Sequence, residues 1–412
     1  MKWIVLLMGL CAFSCCTAKQ LLFAADVIRH GARTPTHPAW LDGIDYPAIW
    51  SQDNVPYGQL TVTGFLEEMR LGESFRHTYV KQYHLLSPNY RAKQICVRSS
   101  GINRTRMSAI AVLTRLYPQS LTTQKPLGIQ IDSVPGKQDN LLRPVNINIP
   151  AIAQSSLWLK YWRDFNLGAP FYYSLRKQGL AQNKIFFPPH NQLCSPQSTQ
   201  DSLICLKAIM KLASNVAILS AHCSDPFNHC QTSALLGLDP NTIEKIIAAK
   251  NRYLQRDMIN SNPALEVYQP LYRQRGRVMA CPLVSEIIQN MRRKIENPKN
   301  SYRYILYSGH SETVLPTMNY LMSFHPTSYQ HGYPMTSEPG FGADIQFLLF
   351  ENAQHHYRVK VTYADNYQHV NRPRLVFSGS LKEFAKIYYA KNCLQRITAK
   401  NTCDFKCEFR AQ

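Results

Sequence analysis

Leu21-Leu22-Phe23-Ala24-Ala25-Asp26-Val27-Ile28 is a short, almost unbroken apolar run, and Arg29-His30-Gly31-Ala32-Arg33-Thr34-Pro35 follows it directly. A run of this kind lacks the in-and-out alternation of a half-exposed strand. It reads as a strand buried on both faces, and such strands belong to sheets covered by helices on each side. The fold class this predicts is α/β. Open α/β sheets bind their ligands at the carboxyl ends of their strands. The basic heptapeptide therefore stands where chemistry is expected.

The rest of the chain repeats the alternation. Thr61-Val62-Thr63-Gly64 leads into a helix through 65–72, with Thr63 as the expected N-cap. Ile95-Cys96-Val97 reads as a second strand running into Arg98, Asn103 to Leu116 as a helix, and 128–134 as a third strand. The order strand, helix, strand, helix, strand predicts a largely parallel sheet. A helix is expected over 278–293, then a strand over 302–307 that stops at Ser308-Gly309-His310. Ala343 to Phe350 and Tyr357 to Tyr363 read as an antiparallel hairpin across a polar turn, 351–356.

Between about 146 and 275 the character changes. An aromatic cluster (Trp158, Tyr161, Trp162, Phe165, Phe171, Tyr172, Tyr173) precedes amphipathic stretches near 203–220 and 242–256. This predicts a mostly helical cap over 146–275, inserted into an α/β core made of 19–145 and 276–412. The 412 residues suffice for such a core plus a smaller domain.

Lys2, an apolar stretch from Trp3 to Phe13, and small residues ending at Thr17-Ala18 have the order of a signal peptide, 1–18. Beyond it no segment is long and apolar enough to cross a bilayer, so a soluble, secreted or periplasmic mature chain is expected. Nine cysteines remain after Ala18: Cys96, Cys194, Cys205, Cys223, Cys230, Cys281, Cys393, Cys403 and Cys407. In an oxidising compartment they predict disulfides, and the odd count implies at least one free thiol or one intermolecular bond. Cys223 and Cys230 are close enough to pair, as are Cys403 and Cys407; the connectivity stays open. His222-Cys223 and His229-Cys230 also have zinc-ligand chemistry, but export favours a disulfide there, and no metal site is expected.

The net charge is +20, from 46 Lys and Arg against 26 Asp and Glu. A surplus of that size attracts anions, phosphorylated small molecules among them. No run of five or more Lys or Arg and no zinc-finger or RNP pattern occurs, which argues against a dedicated nucleic-acid module.

In the heptapeptide, two guanidiniums flank one imidazole. Arginines grip a phosphoryl group through paired hydrogen bonds. They also oppose protonation of His30, which must be neutral to attack phosphorus. Gly31 allows close backbone approach. Arg98 with Asn103-Arg104-Thr105, and His310, follow two other strand ends. Three strand ends thus offer Arg or His to a common rim, and Glu312 stands two residues beyond His310 as a source of a proton.

Arg29 to Pro35, the stretch Val97-Arg98-Ser99-Ser100-Gly101-Ile102-Asn103-Arg104-Thr105, and Tyr307-Ser308-Gly309-His310-Ser311-Glu312-Thr313 resemble, in order, the motifs of the histidine acid phosphatases, a branch of the histidine phosphatase superfamily. The resemblance implies an α/β sandwich with a helical cap, no cofactor and no metal. It implies an acid phosphatase acting on phosphomonoesters through a phosphohistidine: His30 as nucleophile, Arg29, Arg33 and Arg98 on the phosphate, His310 assisting. Cys403 to Cys407 resembles the family's short C-terminal disulfide loop. One position departs from the pattern. Many members carry His-Asp where this chain has His310-Ser311, so the usual donor aspartate is missing. His310-Ser311-Glu312 is similar to the His-Ala-Glu of inositol polyphosphate phosphatases, which moves the donor role to Glu312. It also leaves two rival readings, an inositol polyphosphate or sugar phosphatase and an inactive anion-binding homologue.

Overall fold

The computed structural model describes residues 19–36, 55–118, 128–144, 214–223, 231, 239–244, 247, 269–322 and 338–389. Seven strands form one sheet: β1 (Gln20–Arg29), β2 (Ile95–Ser100), β3 (Ile131–Val134), β4 (Tyr304–Gly309), β5 (Asp344–Glu351), β6 (Tyr357–Ala364) and β7 (Arg374–Ser380). Their spatial order is β3-β2-β4-β1-β5-β6-β7. The helices are α1 (Val62–Phe75), α2 (Asn103–Leu116), α3 (Gln269–Glu296), α4 (Ser311–Met322) and α5 (Leu381–Tyr388); α1 continues as a π-helical stretch, Arg76–Gln82.

The α/β class is as expected, and β1 is the doubly buried strand that its apolar run predicts. Phe23, Ala25 and Val27 enter a core with Val284 and Ile287 of α3, Val314 of α4 and Phe384 of α5. Leu21, Ala24 and Ile28 enter the opposite core, with Leu71 and Phe75 of α1 and Val112 of α2. Helices thus lie on both faces.

The expectation of a largely parallel sheet needs correction. β1, β2, β3 and β4 pair in parallel, but β1–β5, β5–β6 and β6–β7 are antiparallel. The predicted hairpin is the β5–β6 pair. β7 and α5, which carry its continuation, were not read from the sequence. Arg374 and Leu375 at the start of β7 are exposed.

Several boundaries also move. The N-cap of α1 is Thr61, whose Oγ1 accepts from the Gly64 amide, rather than Thr63. β4 runs on through Ser308 and Gly309, and Glu351 ends β5 instead of opening the turn. α3 begins at Gln269, before the expected start at 278. Within 146–275 the helical turns at 214–223 and 240–244 are described. The aromatic cluster, the leader and the Cys403–Cys407 loop lie outside the described residues.

Asp26 is the one acidic residue of β1 and is fully buried. Tyr79 and Tyr304 each donate a hydroxyl to it, at 2.8 Å. Asp344 of β5 and Glu68 of α1 are fully buried nearby. Burial raises all three carboxyls, Asp26 to about 7, and the mutual repulsion of Asp26 and Asp344 adds to it. A carboxyl that holds its proton more tightly in the folded state favours folding in acid. That contribution fades as pH climbs from the unfolded value of 3.8 through about 7. These carboxyls therefore favour a higher melting temperature at pH 5 than at pH 7.5, against the opposite pull of His30 and His310, whose pKa values burial lowers. Asp26→Asn should shrink that gap, as thermal unfolding at the two pH values would read; an unchanged gap would place the linkage elsewhere.

Candidate active site

The site follows from strand register. Arg29 of β1 stands opposite Gly309 of β4. One residue beyond each strand, His30 and His310 lie side by side with ring centroids 5.4 Å apart. The same pairing is closed by the His30 amide donating to the Gly309 carbonyl. β2 lies on the other side of β4 with Ser99 opposite Ser308, which brings Ser100 beside His310.

The loop after β1 is held down by α1 and α2. The Ala32 amide donates to Glu67 Oε2 at 2.7 Å, and the Gly31 amide to Ser108 Oγ at 3.2 Å. Gly31 does permit a close backbone approach, but to the protein itself: a Cβ there would overlap the Gly64 carbonyl, and a Cβ on Gly64 would overlap that of Ala32. Thr61 Oγ1 is also within 2.9 Å of His222 Nε2, while His222 Nδ1 donates to the Ile218 carbonyl. That histidine thus ties the helix 214–223 to the start of α1. Among the described residues no group of His, Cys, Asp or Glu could hold a metal ion.

Both site histidines have defined tautomers. His30 Nδ1 is 2.8 Å from the Gly31 carbonyl, an acceptor only, so Nδ1 carries the hydrogen and Nε2 the lone pair. His310 Nδ1 faces the Arg104 guanidinium at 3.4 Å, a donor only. His310 Nε2 must then carry the hydrogen, which it gives to Ser100 Oγ at 2.8 Å. Ser100 Oγ passes the chain on to Thr105 Oγ1 at 2.8 Å. Burial lowers the pKa of both rings well below the ordinary histidine value. Arg104 is the leading charge acting in the same direction on each, and Arg29 and Arg33 add to it. Two neutral imidazoles inside a cationic pocket are the result.

The cations come from four elements. Arg29, at the end of β1, pairs with Glu338 at 3.1 Å, donates to the Pro339 carbonyl and lies over the Phe341 ring at 4.2 Å. Arg33 donates to the Thr34 carbonyl, and Arg104, second residue of α2, to that of Gly58. Among the described residues neither has a carboxylate as a hydrogen-bonding or ion-pair partner. Burial and mutual repulsion push Arg33 down to about 9, and burial pushes Arg104 to about 10. Both stay charged at neutral pH, and both would gain from an anion. Arg143, in the turn after β3, is 3.6 Å from Glu312 Oε1 in the first turn of α4. The first turns of α2 and α4 add the positive ends of two helix dipoles.

Of the residues expected from the sequence, Arg29, His30, Arg33, His310 and Glu312 come together. Arg98 does not join them. It lies in β2 on the same face as Cys96, and its guanidinium pairs with the buried Asp139 at 3.0 Å. Its charge is felt by Glu286 of α3 rather than by His30. Arg104 takes the position expected of it. The period-two alternation of a strand could have indicated this, since Arg98 follows Cys96 into the α3 layer. Arg104 by contrast opens the helix that points at the pocket. Arg143 carried no motif signal.

Residues 20–364 match the model of the histidine phosphatase superfamily (branch 2). Human prostatic acid phosphatase is 35% identical over 130 residues, 30% of this chain, and the chain spans only 32% of its length. Rat prostatic acid phosphatase is 26% identical over 297 residues, covering 72% of this chain and 69% of that protein. Among solved structures, the Citrobacter braakii phytase superposes with a TM-score of 0.62 at 15% identity, over 91% of this chain and 99% of its own. The Hafnia alvei phytase in complex with myo-inositol hexakis sulphate gives 0.62 at 14%, over 91% and 98%. At these identities the likeness concerns the fold.

The separate stations of the two arginines are testable with inorganic phosphate as probe. Arg104→Met should weaken phosphate binding by about 10- to 100-fold, the loss of a charge-assisted contact, with little change in melting temperature. Arg98→Met leaves Asp139 buried without its cation and should cost about 3 kcal/mol or more of stability while the folded fraction still binds phosphate. Calorimetry and thermal unfolding of the two variants would read this; exchanged phenotypes would restore Arg98 to the pocket.

Proposed function

The chain belongs to branch 2 of the histidine phosphatase superfamily, and from that membership we propose that it is an acid phosphatase hydrolysing phosphomonoesters through a phosphohistidine on His30. The observation that carries this reading is the His30 tautomer. With Nδ1 fixed on the Gly31 carbonyl, the Nε2 lone pair is available at the centre of the cations. A pure anion binder has no use for a neutral, oriented imidazole there, which weighs against the inactive reading.

In this scheme Arg29, Arg33 and Arg104 hold the equatorial oxygens and disperse their charge as the phosphoryl group moves. His310, pinned by Ser100, orients Arg104 through its Nδ1. Glu312 gives its proton to the leaving oxygen as the P–O bond breaks and His30 Nε2 bonds to phosphorus. Water then attacks the phosphohistidine, and Glu312 takes up its proton. The reaction needs no metal and no cofactor. Because Glu312 must be protonated when the leaving oxygen departs, an acid optimum is expected.

The narrower reading, an inositol polyphosphate or sugar phosphatase, is favoured by the +20 charge and by His310-Ser311-Glu312. The cap over 146–275 would set the choice between them. Export to a secreted or periplasmic location is supported by the disulfide-bonded state of Cys96, Cys223 and Cys281, which suits an oxidising compartment. Among the described residues no helix is long and apolar enough to cross a membrane.

Glu312→Gln tests the donor. Aryl phosphates with leaving groups of high pKa should slow by about 100-fold or more, those of low pKa far less. Equal losses along the leaving-group series would remove Glu312 from the role.

A further inference from the structure

Among the described residues, four guanidiniums (Arg29, Arg33, Arg104 and Arg143) and two carboxylates (Glu338 and Glu312) are the charged groups around the site histidines. A bound phosphate monoester dianion can match Arg33 and Arg104, and Glu338 matches Arg29. That leaves the Arg143–Glu312 pair, which is loose. The 3.6 Å from Arg143 Nε to Glu312 Oε1 is within reach of charge attraction but too long for a hydrogen bond. The Nε atom is buried and has no hydrogen-bond partner among the described residues. One terminal nitrogen donates weakly, at 3.4 Å, to the Gly136 carbonyl. Both side chains keep an open flank, 24% and 20% exposed. A guanidinium with an unused buried donor and a loose counter-ion is ready to exchange that counter-ion for a better acceptor.

The groups acting on Glu312 decide when the exchange occurs. Arg143 pairs with it, and Arg104 and Arg33 interact with it electrostatically. Arg104 and Arg33 are taken by the transferred phosphate. When Glu312 is protonated to serve as the acid, Arg143 is the cation that loses its partner.

We propose that Arg143 is the specificity-determining residue of this site, selecting phosphomonoesters whose leaving alcohol carries an anionic group of its own. This rests on the donor role of Glu312 given above. Before reaction, protonated Glu312 leaves Arg143 to the anionic group of the substrate. As the P–O bond breaks, the Glu312 proton passes to the leaving oxygen and His30 Nε2 gains the phosphoryl group. Glu312 becomes a carboxylate again and competes for Arg143, which loosens the departing anionic alcohol. One ion pair thereby couples recognition of the leaving group to its release.

The test compares two isosteric substrates, 3-carboxyphenyl phosphate and 3-carbamoylphenyl phosphate, which differ in the charge of the leaving phenol. The wild-type protein should favour the carboxylate in kcat/KM by about fivefold, the scale of one partly exposed ion pair. Arg143→Gln should bring the ratio close to one, and Arg143→Lys should keep most of it. The ratio is taken within one protein sample, so partial unfolding of a variant cancels. A wild-type ratio near one, or a ratio that Arg143→Gln leaves unchanged, overturns the proposal. Failure of the donor reading shows itself separately, as equal losses along the leaving-group series of Glu312→Gln, whereas failure of the charge reading shows in the ratio while that series still discriminates.

Discussion

Parallel pairing of β1 with β4 fixes where everything else in this protein must go. The register that sets Arg29 opposite Gly309 delivers two imidazoles to one point, each a single residue past its strand. A slip of one residue would turn β1 over, sending Phe23, Ala25 and Val27 toward α1 and the side chain of Asp26 into the other core. The apolar run is thus both the centre of the fold and the device that aims His30. The close approach of Gly31 and Ala32 to Gly64 serves the same end, because it seats the loop after β1 on the first turn of α1.

That arrangement creates an electrostatic problem and uses it. Cations gathered in a buried pocket repel one another, as the lowered pKa of Arg33 and Arg104 reflects. The same field and the same burial keep His30 and His310 neutral. An arriving phosphoryl group relieves the repulsion, and it meets a nucleophile already in its reactive protonation state and tautomer. Repulsion among the cations is in this way matched to the charge of the transferred group.

Much of this was legible in the sequence because strong local signals and tertiary roles coincide. The unbroken apolar run of β1, the helical spacing of α2 and the alternation of the β5–β6 hairpin are all strong signals, and five of the six expected site residues cluster just past two strand ends. The remaining features depend on relations that no local pattern contains. Whether β1 pairs with β5 in parallel or antiparallel is a matter of chain path, and the sheet proved mixed. Arg98 and Arg104 lie six positions apart in one motif. Only the face of β2 on which Arg98 falls, and the Asp139 waiting there, separates a buried structural arginine from a pocket arginine. Arg143 has no signal at all, since its significance comes from a turn after β3 that happens to reach the first turn of α4.

The central claim is that His30 Nε2 takes the phosphoryl group. The direct measurement is to mix the protein with a phosphorus-labelled aryl phosphate at acid pH, quench in alkali, where a phosphohistidine survives, and locate the label by peptide mapping. The account expects label on His30 within the first turnover and none on the His30→Ala variant. Label on another residue, or turnover by the wild type with no labelled intermediate under any quench time, would contradict it.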